Sequence, residues 1–309
     1  MSRLLTPELI RPHLAALDLR AAMPEAAAGY LRHYGLAPAS ASVAHRLGRV
    51  AVQGYEVVTQ LWCPAEPAAT LLVLHGYYDH MGLYGHVVRW GLEMGFAVLG
   101  CDLPGHGLSS GPRASIGEFA EYQAVLAALL DEATRLDLPR PWHLLGQSTG
   151  GAIAIDHLLH APHPALGQSI LLAPLVRPRA WRRSRLSYRL LRPFVEQLPR
   201  RFSDNSGDPA FLRFVREDPL QADTLPARWV GALDRWIARI EQAPASPVAP
   251  LVVQGEQDLT VDWRYNLPVL ARKFDRPEVL RLPEARHHLV NEQAALRQRY
   301  FDFLRERLG

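Results

Sequence analysis

The stretch Trp142–His160, WHLLGQSTGGAIAIDHLLH, decides the fold class of this chain. A short apolar run leads into GQSTG at 146–150, and small and apolar residues then follow at helical spacing. Glycines two residues before and after a serine permit a sharp, strained turn from a strand into a helix, and such a turn exposes the serine hydroxyl. The stretch therefore predicts a strand, a turn and a helix, with Ser148 as the candidate nucleophile.

A second pattern of the same kind, GLSSG at 107–111, stands in a different context. It follows LPGHG, which is typical of a turn, and it precedes Pro112, which opposes a strand-turn-helix arrangement. We therefore interpret Ser109 as part of a loop and not as a nucleophile.

Apolar runs alternate with longer helical patterns along the rest of the chain, which is typical of βαβ units and a mostly parallel sheet. Strands are predicted at Arg49–Gln53, Tyr55–Trp62, Thr70–His75, Ala97–Cys101, Trp142–Gly146, Gln168–Leu172, Leu251–Gln254 and Val279–Leu282. Helices are predicted at Val87–Glu93, Ile116–Leu136, Thr149–His160, Trp263–Phe274 and Glu292–Leu308. The predicted fold class is α/β.

Two segments fall outside this alternation. Residues 1–46 carry leucines at helical spacing and are predicted to form an N-terminal helical extension, which either packs on the core or lies on a membrane surface. Residues 176–247, rich in tryptophan and arginine, are predicted to be an inserted helical cap, and the proline-rich stretch 243–250 leads back to the sheet. The core then comprises residues 47–175 and 248–309.

A serine hydroxyl is a poor nucleophile alone and needs a histidine that takes its proton and an acid that orients the histidine. Asp258 follows the predicted strand Leu251–Gln254, and His287 and His288 follow the predicted strand Val279–Leu282. Serine, then acid, then histidine is the order expected for a GxSxG serine on a parallel sheet. Spacing alone does not decide between the two histidines.

Two other acids lie near Asp258 in the sequence. Asp262 begins a predicted helix, where capping of the helix N-terminus explains it, and Glu256 lies on the turn, where water solvates it. We therefore predict Asp258 as the acid that orients the histidine.

An oxyanion intermediate requires two backbone N–H donors. The N–H of Thr149, next to the candidate nucleophile, is predicted as one donor. The N–H of Tyr77, in the loop HGYYDH at 75–80, is predicted as the other. The tyrosine side chains of this loop are expected to form the wall of a pocket.

Composition limits the remaining function classes. The chain has 309 residues, is 48% hydrophobic and 21% charged, and has a net charge of +3, which excludes a disordered or collagen-like protein and argues against nucleic acid as a partner. Neither zinc-type Cys/His spacing nor a glycine-rich phosphate loop is present, so neither a metal nor a cofactor is expected. The N-terminal MSRLLTPELIRPH lacks a secretory signal pattern, so we expect a cytoplasmic protein.

The chain resembles the α/β-hydrolase superfamily through five motifs: HGYYDH at 75–80, DLPGHGLS at 102–109, GQSTGG at 146–151, QGEQDLTVD at 254–262 and ARHHLVNE at 285–292. Within that superfamily it is similar to the monoacylglycerol lipase and lysophospholipase branch, which is also described as serine aminopeptidase-like. The resemblance covers residues 48–175 and 248–309.

The resemblance implies a mostly parallel eight-stranded sheet flanked by helices, with an inserted helical cap. It also implies a serine hydrolase that cleaves carboxylic esters of lipid-like substrates, a lysophospholipid or a monoacylglycerol, through an acyl-enzyme. The partner would be a small amphiphilic ester. The alternatives are an aminopeptidase or amidase on the same fold, and a non-catalytic ligand-binding protein on a hydrolase scaffold.

The resemblance bears on individual residues as well. In this branch the loop histidine precedes a short apolar pair and an acid, which favours His288 over His287 as the catalytic base. Tyr77 and Tyr78 stand where small residues are usual, and Thr149 stands where a bulky apolar residue is common. We therefore expect the acyl pocket of this protein to differ in shape from the pockets that are usual in this branch.

Residues 177–201 of the predicted cap contain nine arginines and a single acid, Glu196, interleaved with apolar residues. A segment of this kind can present an apolar and a cationic face, which favours peripheral contact with an anionic membrane surface. The alternative is a solvated cap whose arginines pair with acids elsewhere in the chain.

Overall fold

The structure is a computed structural model, and it describes residues 5–38 and 40–309. Its strands are β1 (Val43–Val52), β2 (Tyr55–Pro64), β3 (Ala69–Leu74), β4 (Phe96–Cys101), β5 (Trp142–Gln147), β6 (Leu166–Leu172), β7 (Gln197–Pro199), β8 (Thr224–Pro226), β9 (Leu251–Gly255) and β10 (Glu278–Leu282). Its helices are α1 (Pro7–Ile10), α2 (Ala28–Tyr34), α3 (Gly85–Glu93), α4 (Phe119–Arg135), α5 (Thr149–His160), α6 (Trp181–Leu191), α7 (Pro209–Glu217), α8 (Ala227–Gln242), α9 (Trp263–Lys273) and α10 (Ala294–Leu308).

Eight strands form one sheet in the order β1-β2-β4-β3-β5-β6-β9-β10. The pairs β1–β2 and β2–β4 are antiparallel, and all other neighbours are parallel. The predicted fold class and the predicted strands of the sheet are therefore confirmed. The predicted boundary at residue 47 is wrong, because β1 begins at Val43 and pairs with β2 along its whole length.

The side chains of β3 alternate between the two faces of the sheet. Leu72 and Leu74 pack with residues of α4 and α5, whereas Leu71 and Val73 pack with residues of α3 and α10. Because helices cover both faces, β3, β4 and β5 are buried along their whole length and read as continuous apolar runs. The parallel strands end at a common edge, where the loops that follow them converge.

The N-terminal segment is helical only in part: α1 ends at Ile10, so Leu14 and Leu17 of the leucine pattern lie outside it, and α2 follows at Ala28–Tyr34. Leu5, Leu14 and Leu17 are buried against the core, whereas Leu9 is exposed. The burial favours packing on the core over a membrane-surface helix. Residues 1–4 and 39, which the predicted extension 1–46 includes, lie outside the described residues.

The cap lies between β6 and β9, as predicted, and consists of α6, α7 and α8 with a small antiparallel pair, β7 and β8. Helix α8 attaches it to the core, because Trp229, Leu233 and Trp236 are buried in the same apolar cluster as α4. The two short strands were not expected from the sequence. Within residues 5–38 and 40–309, no helix has the length and apolar character needed to cross a membrane.

One buried carboxylate, Asp218 of the cap, joins three parts of the chain. Tyr34 of the extension donates its hydroxyl hydrogen to one carboxylate oxygen at 2.5 Å, and His80 of the core donates from Nε2 to the other at 2.9 Å. Burial alone would lower the pKa of His80 and raise that of Asp218, but their mutual attraction outweighs burial. The pKa of His80 is raised, and that of Asp218 is lowered to about 2.

Replacement of this carboxylate, Asp218→Asn, should lower the free energy of unfolding by about 3 kcal/mol near pH 5.5, because it leaves His80 buried without its partner. Because folding raises the pKa of His80, protonation of His80 stabilises the fold. This contribution is complete at pH values below 6.5, the ordinary pKa of histidine, and it is lost as the pH rises through the raised pKa. The lowered pKa of Asp218 stabilises the fold above its ordinary value of 3.8. Urea denaturation of both proteins from pH 4 to 9 measures the difference.

The matched control is Asp204→Asn, which removes an exposed cap carboxylate paired with Arg216 at 3.0 Å. Exposed pairs contribute little, so this variant should unfold within about 0.5 kcal/mol of wild type. A difference for Asp218→Asn that does not narrow as the pH rises from 6.5 to 9 would contradict the role of the His80 charge.

Candidate active site

A strained turn carries the candidate nucleophile. Strand β5 ends at Gln147, helix α5 begins at Thr149, and Ser148 between them has φ +52° and ψ −108°. A Cβ atom on Gly150 would overlap the Leu74 carbonyl of β3, and one on Gly146 would overlap the backbone of Gly150. Both glycines are therefore needed for the first turn of α5 to approach the sheet, as the sequence predicts.

Three side chains from different loops meet at this turn. Asp258 follows β9 and His287 follows β10. His287 Nδ1 lies 2.7 Å from Asp258 Oδ2, and His287 Nε2 lies 3.0 Å from Ser148 Oγ. With Nδ1–H donating to the carboxylate, Nε2 is free to accept the serine proton. The arrangement can generate a nucleophilic serine.

The prediction that His288 contacts the serine is wrong. Its Nε2 lies 3.0 Å from Asp79 Oδ1, on the loop after β3. Two backbone contacts orient the pair of histidines: the carbonyl of His287 accepts a hydrogen bond from Gln147 Nε2 at 3.0 Å, and the N–H of His288 donates to Asn205 of the cap at 2.7 Å. The apolar pair and acid that follow the histidines favoured His288, but the ring contacts with Ser148, Asp258 and Asp79 show that His287 is the histidine beside the serine.

Hydrogen bonds from neighbouring groups fix the carboxylate of Asp258 beside His287. Its Oδ1 accepts hydrogen bonds from the N–H groups of Thr260 and Val261 at 2.7 and 3.0 Å, and its Oδ2 accepts one from Gln254 at 3.1 Å. Burial alone would raise the pKa of Asp258, but the attraction of His287 and the two N–H donors outweigh burial and lower it. The carboxylate is therefore ionised at neutral pH.

The alternative residues lie outside this arrangement. Asp262 precedes α9, and Glu256 forms an ion pair with Arg281 at 2.8 Å. The hydroxyl of Ser109 is buried, donates to the carbonyl of Asp102 at 2.6 Å, and accepts from the N–H of Val58 at 2.8 Å. The interpretation of Ser109 as a structural loop residue is confirmed.

Thr149 follows Ser148 directly in the sequence, and Tyr77, from the loop after β3, lines the same cavities as Ser148. Within the part of the chain that the structure describes, neither N–H donates to a protein acceptor. The Tyr77 ring stacks on Trp229 of the cap with 3.8 Å between centroids, and its hydroxyl donates to the carbonyl of Ala114 at 2.7 Å. These contacts fix the loop, so both N–H groups are available to an oxyanion, whose binding there remains a prediction.

Two cavities border Ser148. The larger, of about 610 Å³, lies under the cap and has an apolar wall that includes Trp181, Leu225, Trp229, Val230, Leu233 and Val261. The smaller, of about 190 Å³, has a more polar wall that includes Asp79, Gln147, Arg200, Asn205, His287 and His288. We call them the apolar cavity and the polar cavity.

Sequence reasoning missed the wall of the polar cavity. Asp79 and His288 belong to two motifs of the resemblance, but nothing in the sequence indicated that they pair. Arg200 is one of nine arginines in residues 177–201, and nothing in the sequence distinguished it from the others. Among the described residues, no group of His, Cys, Asp and Glu side chains is arranged to hold a metal ion. The chemistry available at the site is that of the Ser148, His287 and Asp258 side chains and the neighbouring N–H groups.

A family model described as serine aminopeptidase, S33, matches residues 65–294, about three quarters of the chain. The chain belongs to this family. The matched range contains Ser148, Asp258 and His287, together with the whole cap.

Similar proteins include several lipases. The chain is 26% identical to phospholipase YtpA of Bacillus subtilis over 65% of its own length and 80% of that protein. It is 28% identical to human monoglyceride lipase over 79% and 83% of the two chains. It is also 28% identical to monoacylglycerol lipase of Mycolicibacterium smegmatis over 78% and 89%.

Solved structures show the same fold. A soluble variant of monoglyceride lipase from Saccharomyces cerevisiae, in complex with a substrate analog, superposes on this hydrolase with a TM-score of 0.73 at 17% identity, covering 88% of this chain and 97% of the other. A monoacylglycerol lipase from Paleococcus ferrophilus gives 0.71 at 18% identity, covering 82% and 98%. At these identities the likeness establishes the α/β-hydrolase fold.

Because α5 approaches β3 so closely, Gly150→Ala should destabilise this hydrolase by about 2 kcal/mol or more, since overpacking forces backbone shifts. Urea denaturation of wild type and variant measures the effect. The control is Gly85→Ala at the start of α3, where a Cβ atom would come no closer than 3.4 Å to its nearest neighbour, the end of the flexible Arg89 side chain. Equal stability of both variants would contradict the close packing at the turn.

Proposed function

We propose that this protein is a serine hydrolase that cleaves the carboxylic ester of a single-chain lipid-like substrate, a lysophospholipid or a monoacylglycerol, through an acyl-enzyme. The observation that carries the proposal is the hydrogen-bonded triad Ser148–His287–Asp258, whose serine lines an apolar cavity of about 610 Å³. The similarity to proteins named monoglyceride lipase and phospholipase supports the same reaction and substrate class.

In the proposed reaction, Ser148 Oγ attacks the ester carbonyl carbon while His287 Nε2 takes the hydroxyl proton. The negative charge that develops on the carbonyl oxygen is met by the N–H groups of Tyr77 and Thr149. The carbon–oxygen bond to the alcohol then breaks, and His287 returns its proton to the departing alkoxide. Water, deprotonated by His287, attacks the acyl-enzyme, releases the fatty acid and restores Ser148.

Asp258 acts through His287. Its ionised carboxylate accepts the Nδ1–H hydrogen bond at 2.7 Å, which selects the tautomer whose Nε2 faces Ser148. It also stabilises the imidazolium that forms when His287 takes the serine proton. Because burial removes water from this pair, the attraction is stronger than it would be at the surface.

The cavities favour an ester of an apolar acid over a peptide substrate. The wall of the apolar cavity suits an acyl chain. An aminopeptidase must bind a protonated amino terminus, whereas Arg200 and Arg201 of the polar cavity repel a cation, and the carboxylate of Asp79 is engaged by His288 and Tyr84. The complete triad of nucleophile, base and acid argues against a purely ligand-binding protein, because such a protein has no need of these three residues in hydrogen-bond contact.

Ser148→Ala and His287→Ala should each reduce kcat for a short soluble ester, such as 4-nitrophenyl butyrate, by about a thousandfold or more, because the nucleophile or its base is lost. His288→Ala should cost less than about tenfold, since that ring lies against Asp79. Steady-state kinetics, with labelling by a fluorophosphonate probe, measures all three variants. A larger loss in His288→Ala than in His287→Ala would overturn the assignment of the base.

We further propose that the cap contacts an anionic membrane surface. Four apolar side chains of α6 and the loop after it are between 45% and 85% exposed: Leu186, Leu190, Leu191 and Phe194. The exposed arginines Arg182, Arg183 and Arg192 lie in the same segment. An exposed apolar patch with arginines beside it is typical of interfacial segments.

Some of the nine arginines at 177–201 do pair with acids elsewhere in the chain, as the alternative interpretation of the cap predicts. Arg185 lies 2.6 Å and Arg189 3.5 Å from Asp234 of α8, and Arg177 lies 2.5 Å from Glu241. Arg185 and Arg189 attach α6 to α8, and Arg177 attaches the segment between β6 and α6 to α8, so the charge of these three is partly neutralised. Any membrane attraction should therefore come from the remaining arginines and the apolar patch.

Two double variants test the membrane proposal, Leu190→Ser with Phe194→Ser and Arg182→Gln with Arg183→Gln. Each should weaken co-sedimentation with vesicles of anionic phospholipid at least about fivefold, while hydrolysis of 4-nitrophenyl butyrate changes little. Binding should also weaken as salt is raised, because attraction between exposed charges is screened within ~10 Å at 0.1 M. The control is Val279→Ser on the edge strand β10, an exposed apolar residue outside the cap. Equal vesicle binding by all variants would contradict the proposal.

A further inference from the structure

The polar cavity contains a cation whose charge the proposed mechanism does not use. Arg200 follows β7 in the cap and borders both the apolar and the polar cavity, as Ser148 does. Its backbone N–H donates to the carbonyl of Asp223 at 2.8 Å, which fixes the start of the side chain. Arg200 is thus a cap residue that lines the same two cavities as the nucleophile.

The guanidinium group of Arg200 is held in place. Its carbon lies 4.0 Å from the centre of the Tyr78 ring and 4.3 Å from that of Phe202. Its Nη1 donates to Gln221 at 2.5 Å and to the carbonyl of Ala222 at 3.1 Å. Neutral acceptors and two aromatic rings therefore orient the group without neutralising it.

The carboxylates near Arg200 have other partners. Among the described residues, no carboxylate oxygen lies within ion-pair distance of its guanidinium. Asp79 accepts hydrogen bonds from His288 and Tyr84, and Asp218 accepts them from His80 and Tyr34. Burial lowers the pKa of Arg200, but an arginine remains charged at neutral pH.

A mostly buried cation without a counter-ion is costly, and an anionic ligand offsets the cost. Within the described chain, Nε and Nη2 of Arg200 donate to no protein acceptor, which leaves two parallel donors for a planar or tetrahedral oxyanion. Arg201, which is exposed and lines the same cavity, adds a second positive charge.

We propose that Arg200 binds a phosphate group carried by the alcohol portion of the substrate, and that it makes the enzyme select a phosphate-bearing single-chain ester over a neutral acylglycerol. This inference rests on the proposed ester hydrolysis. With the ester carbonyl at Ser148 and the acyl chain in the apolar cavity, the alcohol portion occupies the polar cavity, and its phosphate reaches the free donors of Arg200.

The test compares two soluble substrates that differ only in the phosphate, hexanoylglycerol 3-phosphate and hexanoylglycerol, both as monomers. Wild type should favour the phosphate ester in kcat/KM. Arg200→Gln should reduce kcat/KM for the phosphate ester by roughly 10- to 100-fold, mainly through KM, and change that for the neutral ester less than about twofold. The control Arg213→Gln removes an exposed cap arginine outside both cavities and should leave the preference unchanged.

Competition on wild type gives a measurement that does not depend on a variant folding. Glycerol 3-phosphate should inhibit hydrolysis of the neutral ester, whereas glycerol should not, and Arg200→Gln should lose the inhibition. The preference should persist in 0.5 M NaCl, because a buried ion pair is screened much less than surface charges. This separates Arg200 from the exposed arginines that are proposed to contact a membrane.

Three outcomes would overturn the inference. Wild type could show no preference for the phosphate ester, or Arg200→Gln could lose activity equally on both substrates, which would make Arg200 a structural tie of the cap. Inhibition by inorganic phosphate as strong as that by glycerol 3-phosphate would assign the site to the free ion instead of a headgroup. Each leaves hydrolysis of the neutral ester by wild type intact, whereas failure of the proposed function would abolish it.

Discussion

The approach of helix α5 to strand β3 is the constraint on which the site depends. Gly150 lies against the Leu74 carbonyl with no room for a Cβ atom, and Ser148 takes a positive φ so that the chain can turn there. This contact places the serine at the edge of the sheet, within 3.0 Å of His287 Nε2. The loops after β3, β9 and β10 reach that edge because parallel strands share their carboxyl ends.

The cap contributes to both cavities that border Ser148, one with an apolar wall and one with a more polar wall. Trp229 of α8 stacks on Tyr77 and belongs to the apolar cavity, whereas the segment after β7 brings Arg200 to the polar cavity. Asp218, buried between Tyr34 and His80, joins cap, extension and core at one point. The insertion that determines the shape of the cavities is thus attached, through His80, to the same loop that contains Tyr77.

The two adjacent histidines, His287 and His288, show that a sequence motif does not determine the direction in which a side chain points. His287 and His288 both follow β10 and both find a buried aspartate, Asp258 for one and Asp79 for the other. The motif that follows them favoured His288, yet His287 is the one whose ring contacts Ser148, so a local pattern does not determine which ring faces the serine. The backbone contacts from Gln147 and Asn205 orient the loop, and Asn205 lies over eighty residues away in the cap.

The sequence by itself determined the α/β class, the strands of the sheet, the place of the cap, the choice of Ser148 over Ser109 as the serine on the strained turn, and the choice of Asp258 as the acid near it. These depend on local periodicity and on short motifs whose residue types and order can be seen in the sequence. Only the tertiary structure decided which histidine faces the serine, where β1 begins, and which cap arginines pair with acids. Those outcomes depend on contacts between residues far apart in sequence, because side-chain direction and charge pairing are set by whatever the folded chain brings within a few ångströms.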